Sequence, residues 1–98
     1  HCAAVMGGPR GDLTAHKFFD INVRGTFNVF QAAADRAEKI RKIVYFSSTA
    51  AYDVHTQGPV IREDVELRPL NLYGLTKATN ETMARIVQFQ TNIPVVIF

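Results

Sequence analysis

The sequence is poor in the features that would place it at a glance. It has one cysteine, Cys2, in 98 residues. No internal disulfide and no cysteine-based metal site can form from that, and a lone thiol fits a reducing, cytoplasmic setting. Its unbroken apolar runs are short, far below the roughly 20 residues a helix needs to span a bilayer. No basic stretch precedes an apolar core in the first residues, so nothing there reads as a signal peptide. Charge of one sign is also scarce. Eleven Lys and Arg stand against nine Asp and Glu, scattered along the chain, which argues against nucleic acid or an anionic membrane as a partner. The three histidines, His1, His16 and His55, lie far apart and are not read as a metal site.

What is present describes an ordinary globular protein, 47% hydrophobic and 20% charged. A chain this short buries roughly 60–65% of its unfolded surface, which makes it marginal on its own. It opens on His1 and closes within the strand-like "PVVIF", so it is expected to be an internal piece of a longer protein, holding one partial domain over residues 1–98.

Periodicity gives the organisation. "HCAAV" suits the end of a buried strand, and "MGGPRGD" is rich in turn formers. Residues 14–37 read as a helix, with Thr14 as its cap. Phe19, Val23, Phe27, Phe30 and Ala34 recur at spacings of three and four and form the expected apolar stripe. "KIVYFSS" is a β-branched and aromatic run of the kind found in buried parallel strands. Residues 50–72 form a long irregular stretch, a length that is usually functional in compact domains. A second helix is expected over 73–90, with Met83, Ile86, Val87 and Phe89 on its apolar side, and "IPVVIF" forms a last strand. The order strand, helix, strand, helix, strand implies an α/β fold with a parallel sheet.

Chemistry is concentrated in two places. Tyr73 and Lys77 stand four residues apart at the start of the second helix, about 6 Å along its axis and on one face. A free phenol with a pKa near 10 is a poor base at neutral pH. A neighbouring ammonium stabilises its anion and brings proton exchange with an alcohol within range. A Tyr-x-x-x-Lys pair also arises by chance, as surface charge. The second place is "FSSTAAY", where Ser47, Ser48 and Thr49 follow a parallel strand. In open α/β sheets ligands bind at that edge, although hydroxyl runs also simply form turns.

Taken together and in order, "HCAAV", "NVRGTFNVFQAA", "KIVYFSSTAAY" and "LRPLNLYGLTKATNE" resemble the extended short-chain dehydrogenase/reductases, specifically the NAD-dependent epimerase/dehydratase group, over essentially the whole chain. Glu63 and Pro69 in the intervening loop belong to the same pattern. The resemblance implies a Rossmann-like, doubly wound parallel sheet of which this chain holds the central portion. It implies Tyr73 as catalytic acid/base, Lys77 as its partner and a ligand of the nicotinamide ribose, Thr49 as the catalytic hydroxyl, and Asn22 as a catalytic residue beside the active site, with Asn22 and Tyr73 also contacting the cofactor. Cys2, Ala3, Ala4 and Val5 would lie along the dinucleotide through their backbone, and Ser47 would line the substrate pocket with Thr49. The implied cofactor is NAD, with NADP as the variant. The implied substrate is a nucleotide sugar, and the implied assembly a homodimer formed through the two helices.

Three departures stand out. Asp53 replaces a glycine common after the loop tyrosine, Leu72 replaces the proline common before the catalytic tyrosine, and the glycine-rich dinucleotide fingerprint is missing. "GGPRG" has the wrong spacing and reads as a structural turn. Glu63, Asp64 and Glu66 read as a solvated acidic loop, and His16 as an exposed helix-start residue. Glu81, at i+4 from Lys77, reads as a residue ordering the helix face, and Gly25 as a mark of close helix packing. Other readings are an NADPH-dependent carbonyl reductase of the same superfamily, a dinucleotide sensor that has lost turnover, and an inert piece. The 98 residues alone are expected neither to bind NAD tightly nor to turn over.

Overall fold

A computed structural model describes residues 1–6, 14–53 and 60–98. The turn expected at "GGPRG" and the histidine at position 55 lie outside the described residues. The element order is α1 (Ala15–Phe18), a π-helical turn (Phe19–Arg24), α2 (Gly25–Ala34), β1 (Ile43–Tyr45), α3 (Leu72–Thr91) and β2 (Val95–Ile97). β1 and β2 pair in parallel with Ile43 opposite Val95 and Tyr45 opposite Ile97. The ladder runs on beyond the strands, through Ser47 N–H to the Phe98 carbonyl at 2.6 Å and Phe98 N–H to the Tyr45 carbonyl at 3.0 Å. Parallel strands joined through α3 make the α/β architecture that the alternation implies.

The first six residues carry no strand assignment. They still lie beside β1, because Phe46 N–H donates to the His1 carbonyl at 3.2 Å and the His1 amine to the Val44 carbonyl at 2.6 Å. The core is Phe30, Ile43, Tyr45, Ala84 and Ile93, which places α2 and α3 against one face of the sheet. Phe46 and Phe98 are exposed and stack with ring centroids 5.7 Å apart. Tyr45 inward and Phe46 outward is the period-two alternation of a strand.

Helix boundaries follow local chemistry. Thr14 Oγ1 accepts from Lys17 N–H, Asn71 Oδ1 accepts from Gly74 N–H at 2.8 Å, and Asn92 ends α3 in the left-handed region at φ 58°. His16 is exposed in α1.

The expected apolar stripes need correction. In the first helical segment the buried residues are Phe18, Asn22, Thr26 and Phe30, whereas Phe19 is exposed and Phe27 is 51% exposed. Four-residue steps over-rotate an α-helix by about 40° each. The π-turn at Phe19–Arg24 widens the helix and takes up that drift, so the inward stripe runs at spacing four. In α3 the buried residues are Gly74, Thr76, Lys77, Ala78, Asn80, Glu81 and Ala84, while Ile86 and Phe89 are exposed. The inward face of α3 is thus small and polar, and its amide and hydroxyl donors are taken up internally, while Asn80 Oδ1 is buried with no partner among the described residues. Asn80 Nδ2 donates to the Asn22 carbonyl at 2.8 Å, and its amide lies 3.1 Å from the Tyr45 hydroxyl.

Gly25 is a further correction. A Cβ there would meet the Asp20 carbonyl at 3.9 Å, an ordinary contact. The close approach lies at Gly74, where a Cβ would fall 2.0 Å from the Ala50 carbonyl oxygen. Among the described residues, no helix is long and apolar enough to cross a membrane.

Candidate active site

The Asn71 cap starts α3 so that Tyr73 and Lys77 fall on its first two turns. Lys77 is 4% exposed. Its ammonium donates to the Phe46 carbonyl at 2.8 Å and lies over two rings, 5.1 Å from the centroid of Tyr45 and 5.7 Å from that of Tyr73. Cation–π attraction of this kind strengthens with desolvation. Burial pushes the Lys77 pKa down, with the Cys2 side chain acting in the opposite direction. Burial also pushes the Tyr45 hydroxyl up to about 12, against the hydrogen bond from Asn80, which lowers it.

Thr49 is exposed and opens a 3₁₀ turn, Thr49–Ala51. Ser48 caps that turn, its Oγ accepting from Ala50 N–H at 3.2 Å. The turn is pressed onto the start of α3 by the Gly74–Ala50 approach, and Arg68 N–H donates to the Ala51 carbonyl at 3.0 Å on its far side. Thr49 lines a cavity of about 350 Å³ with Ser47, Ser48, Tyr52, Glu63 and Glu81. Tyr73 lines a different one, about 440 Å³, with Met6, Phe18, Asn71 and Leu72. The sequence-predicted residues therefore meet in part. Tyr73 and Lys77 are neighbours, and the Thr49 turn abuts their helix, but Thr49 and Tyr73 line separate cavities among the described residues.

Asn22 is wholly buried and serves as a bracket. Its Oδ1 accepts from Val5 N–H at 2.7 Å, and its Nδ2 donates to the Val5 carbonyl at 2.9 Å and to Thr76 Oγ1 at 3.2 Å. Thr76 Oγ1 in turn donates to the Tyr73 carbonyl at 2.7 Å. One side chain thus ties the 1–6 segment to the first turn of α3. Val5, expected to meet a dinucleotide through its backbone, has both backbone groups engaged by Asn22. Cys2 and Ala3 are exposed and Ala4 half-buried. His1 is not a simple strand-end residue: its Nε2 lies 2.9 Å from Thr26 Oγ1, and its ring packs against both Phe30 and Tyr45, which also touch each other.

Two of the acidic residues at 63–66 pair locally, Asp64 with Arg62 and Glu66 with Arg68, as a solvated loop would, while Glu63 reaches the Thr49 cavity. Glu81 departs furthest from its reading. It is buried, accepts from the Ser47 hydroxyl, and has Arg85 Nη2 at 3.9 Å, so it does not order an exposed face with Lys77. Gly74, Asn80 and Glu81 were not singled out for the site. The available signal was strand alternation, which puts Ser47 on the Tyr45 side and so towards α3.

A parallel sheet with helices packed on it and a tyrosine–lysine helix start at its carboxyl edge define a Rossmann-like α/β protein. The chain belongs to the NAD dependent epimerase/dehydratase family, whose model matches residues 1–98. It is 32% identical over 92 residues to protein CapI of Staphylococcus aureus, covering 93% of this chain and 27% of that protein. It is 36% identical over 81 residues to a UDP-glucose 4-epimerase of Lactobacillus helveticus, covering 83% and 24%. The chain therefore spans about a quarter of the length of these relatives. Among solved structures it superimposes on UDP-glucuronic acid 4-epimerase from Bacillus cereus in complex with NAD, with a TM-score of 0.81 at 25% identity, covering 97% of this chain and 29% of that one. The UDP-Glc/GlcNAc 4-epimerase of Campylobacter jejuni gives a TM-score of 0.84 at 24% identity, covering 97% and 28%, a likeness of fold.

Proposed function

We propose that the full-length protein carrying this chain is an NAD-dependent sugar-nucleotide epimerase or dehydratase of cytoplasmic setting. In this reading Tyr73 is the acid–base group, Lys77 its charged partner, and Thr49 the hydroxyl that orients the reacting oxygen. The observation that carries the reading is the buried Lys77 ammonium over the Tyr73 ring, with the Thr49 turn held against the same helix start by Gly74. The UDP-sugar epimerases among the relatives support a nucleotide sugar as substrate.

The residues present fit the cofactor. An ammonium has three donors, and among the described residues one of those on Lys77 is used, by the Phe46 carbonyl. The remaining donors suit the vicinal hydroxyls of a ribose, and the exposed residues Cys2 and Ala3, with Ala4 beside them, suit the adjoining face of the dinucleotide. When bound, NAD supplies the acceptor and then the donor of hydride.

The work of the chain is proton transfer and position. Tyr73 would take the proton of a sugar hydroxyl whose carbon is to be oxidised to a carbonyl. Lys77 offsets the negative charge that develops on the phenol oxygen. Thr49 holds the reacting sugar oxygen by a hydrogen bond. In an epimerisation Tyr73 would also return that proton to the sugar oxygen when the carbonyl is reduced again. A homodimer is also proposed. The apolar groove across α2 and α3, with Phe19 and Phe27 exposed beside Met83, supports burial of that face against a second copy.

The test is Tyr73→Phe in the full-length protein. Turnover of UDP-glucose is expected to fall by about 10²–10⁴-fold, the range of a lost acid–base group, with NAD affinity by calorimetry changed little. A variant that turns over like wild type would refute the assignment.

A further inference from the structure

Glu81 is a carboxylate in an expensive place. It is 2% exposed, and burying a charge costs several kcal/mol before partners repay it. The lysine one turn earlier does not repay it, because the Lys77 ammonium is turned to the Phe46 carbonyl. Arg85 lies 3.9 Å away on a side chain that is 67% exposed, so its help is diluted by solvent. What the carboxylate holds directly is the Ser47 hydroxyl, which donates to Glu81 Oε1. A glutamine of the same shape would accept that hydrogen bond without the charge. What it would not do is dictate direction, since an amide can donate as well as accept.

That direction has a consequence. A hydroxyl has one proton and two lone pairs, and a carboxylate only accepts. With its proton committed to Glu81, Ser47 Oγ meets the Thr49 cavity, which it lines, as an acceptor. Ser48, lining the same cavity, is set the other way. Its Oγ accepts from Ala50 N–H, and its own proton has no acceptor among the described residues. Of the two adjacent strand-end hydroxyls lining this space, Ser47 is left to accept and Ser48 keeps a proton to give. A hydroxyl gives and takes a hydrogen bond at one atom and so matches this pair, whereas an ether or a ketone can only accept.

We propose that Glu81 is a positioning residue that fixes Ser47 as a hydrogen-bond acceptor, so that the cavity beside Thr49 selects a sugar hydroxyl of the substrate. This rests on the sugar-nucleotide reading above and names a residue through which it discriminates. Sites built to hydrogen-bond a hydroxyl penalise ligands lacking it, because the buried polar group is left unpaired.

The test uses the full-length protein with NAD present and two probes, UDP-glucose and UDP, in calorimetric titrations. Glu81→Gln is expected to weaken UDP-glucose roughly tenfold and to leave UDP within about twofold, because UDP lacks the sugar. In a Ser47→Ala background, Glu81→Gln is expected to add nothing further, since it acts through that hydroxyl. An equal loss for both probes would reduce Glu81 to a packing role. An undiminished effect in the Ser47→Ala background, or unchanged UDP-glucose binding, overturns the proposal as well. If Glu81→Gln does not fold, Ser47→Ala alone decides, with a sugar-selective loss supporting the proposal and an equal loss sinking it. A wild type that binds UDP-glucose no better than UDP sinks this proposal and leaves the role of Tyr73 to its own variant; one that binds neither probe sinks both readings.

Discussion

Gly74→Ala is the sharpest mechanical test of the site. An added Cβ would stand 2.0 Å from the Ala50 carbonyl oxygen, 2.8 Å from its carbon and 3.2 Å from Pro69 Cβ. Ordinary contact begins at 3.4 Å, so helix and turn must part by about 1.4 Å. The obstacle is backbone, so no side-chain rotation relieves it. The turn cannot yield freely either, because Ala51 N–H is bonded to the Ser48 carbonyl and Tyr52 N–H to that of Thr49, each at 3.0 Å, while Arg68 holds Ala51 from behind. Forcing one methyl into such packing costs about 1–3 kcal/mol. The displaced group carries Thr49, and a misplacement of about 1 Å costs roughly 100-fold in rate. In the full-length protein, Gly74→Ala should therefore lower the urea midpoint with little change in slope and lower turnover by about two orders of magnitude. Wild-type stability would refute the packing argument. Lowered stability with full turnover would refute the placing of Thr49 in the reaction.

Three further outcomes are expected. Gly25→Ala should raise stability by up to about 1 kcal/mol in thermal unfolding, since the site is helical at φ −59° and a Cβ has ordinary room there. Asn22→Ala strands both backbone groups of Val5 and the Thr76 contact; it should cost about 2–4 kcal/mol and speed hydrogen exchange at the Val5 amide. At alkaline pH two groups pull in opposite directions. The Tyr45 hydroxyl is raised by burial to about 12 from 10.0, so between those values the unfolded chain sheds a proton that the folded chain keeps, and stability falls as pH rises. Burial lowers the Lys77 pKa from 10.5, so the folded chain sheds that proton first, and stability rises with pH up to about that value. Lys77→Met should remove the rising part and leave the fall, read from unfolding free energy against pH beside the phenolate absorbance.

Local chemistry was readable without coordinates wherever a few neighbouring residues decide the outcome. Thr14 caps its helix because a short side chain reaches the N–H three residues on. Tyr73 and Lys77 share a face because a helix turns every 3.6 residues, and β-branched runs set between helical ones imply parallel strands. The family pattern rests on the same short blocks in order. The faces themselves were decided by tertiary structure. The apolar stripe at Phe19 and Phe27 points outward because a π-turn rotates the helix and because Asn22 and Thr26 find polar partners on α3. Glu81 leaves Lys77 for Ser47, and Gly74 rather than Gly25 is where backbones nearly touch. Those outcomes depend on atoms more than 20 positions apart in the chain, and short-range spacing carries no information about which distant group will be there to satisfy or obstruct a side chain.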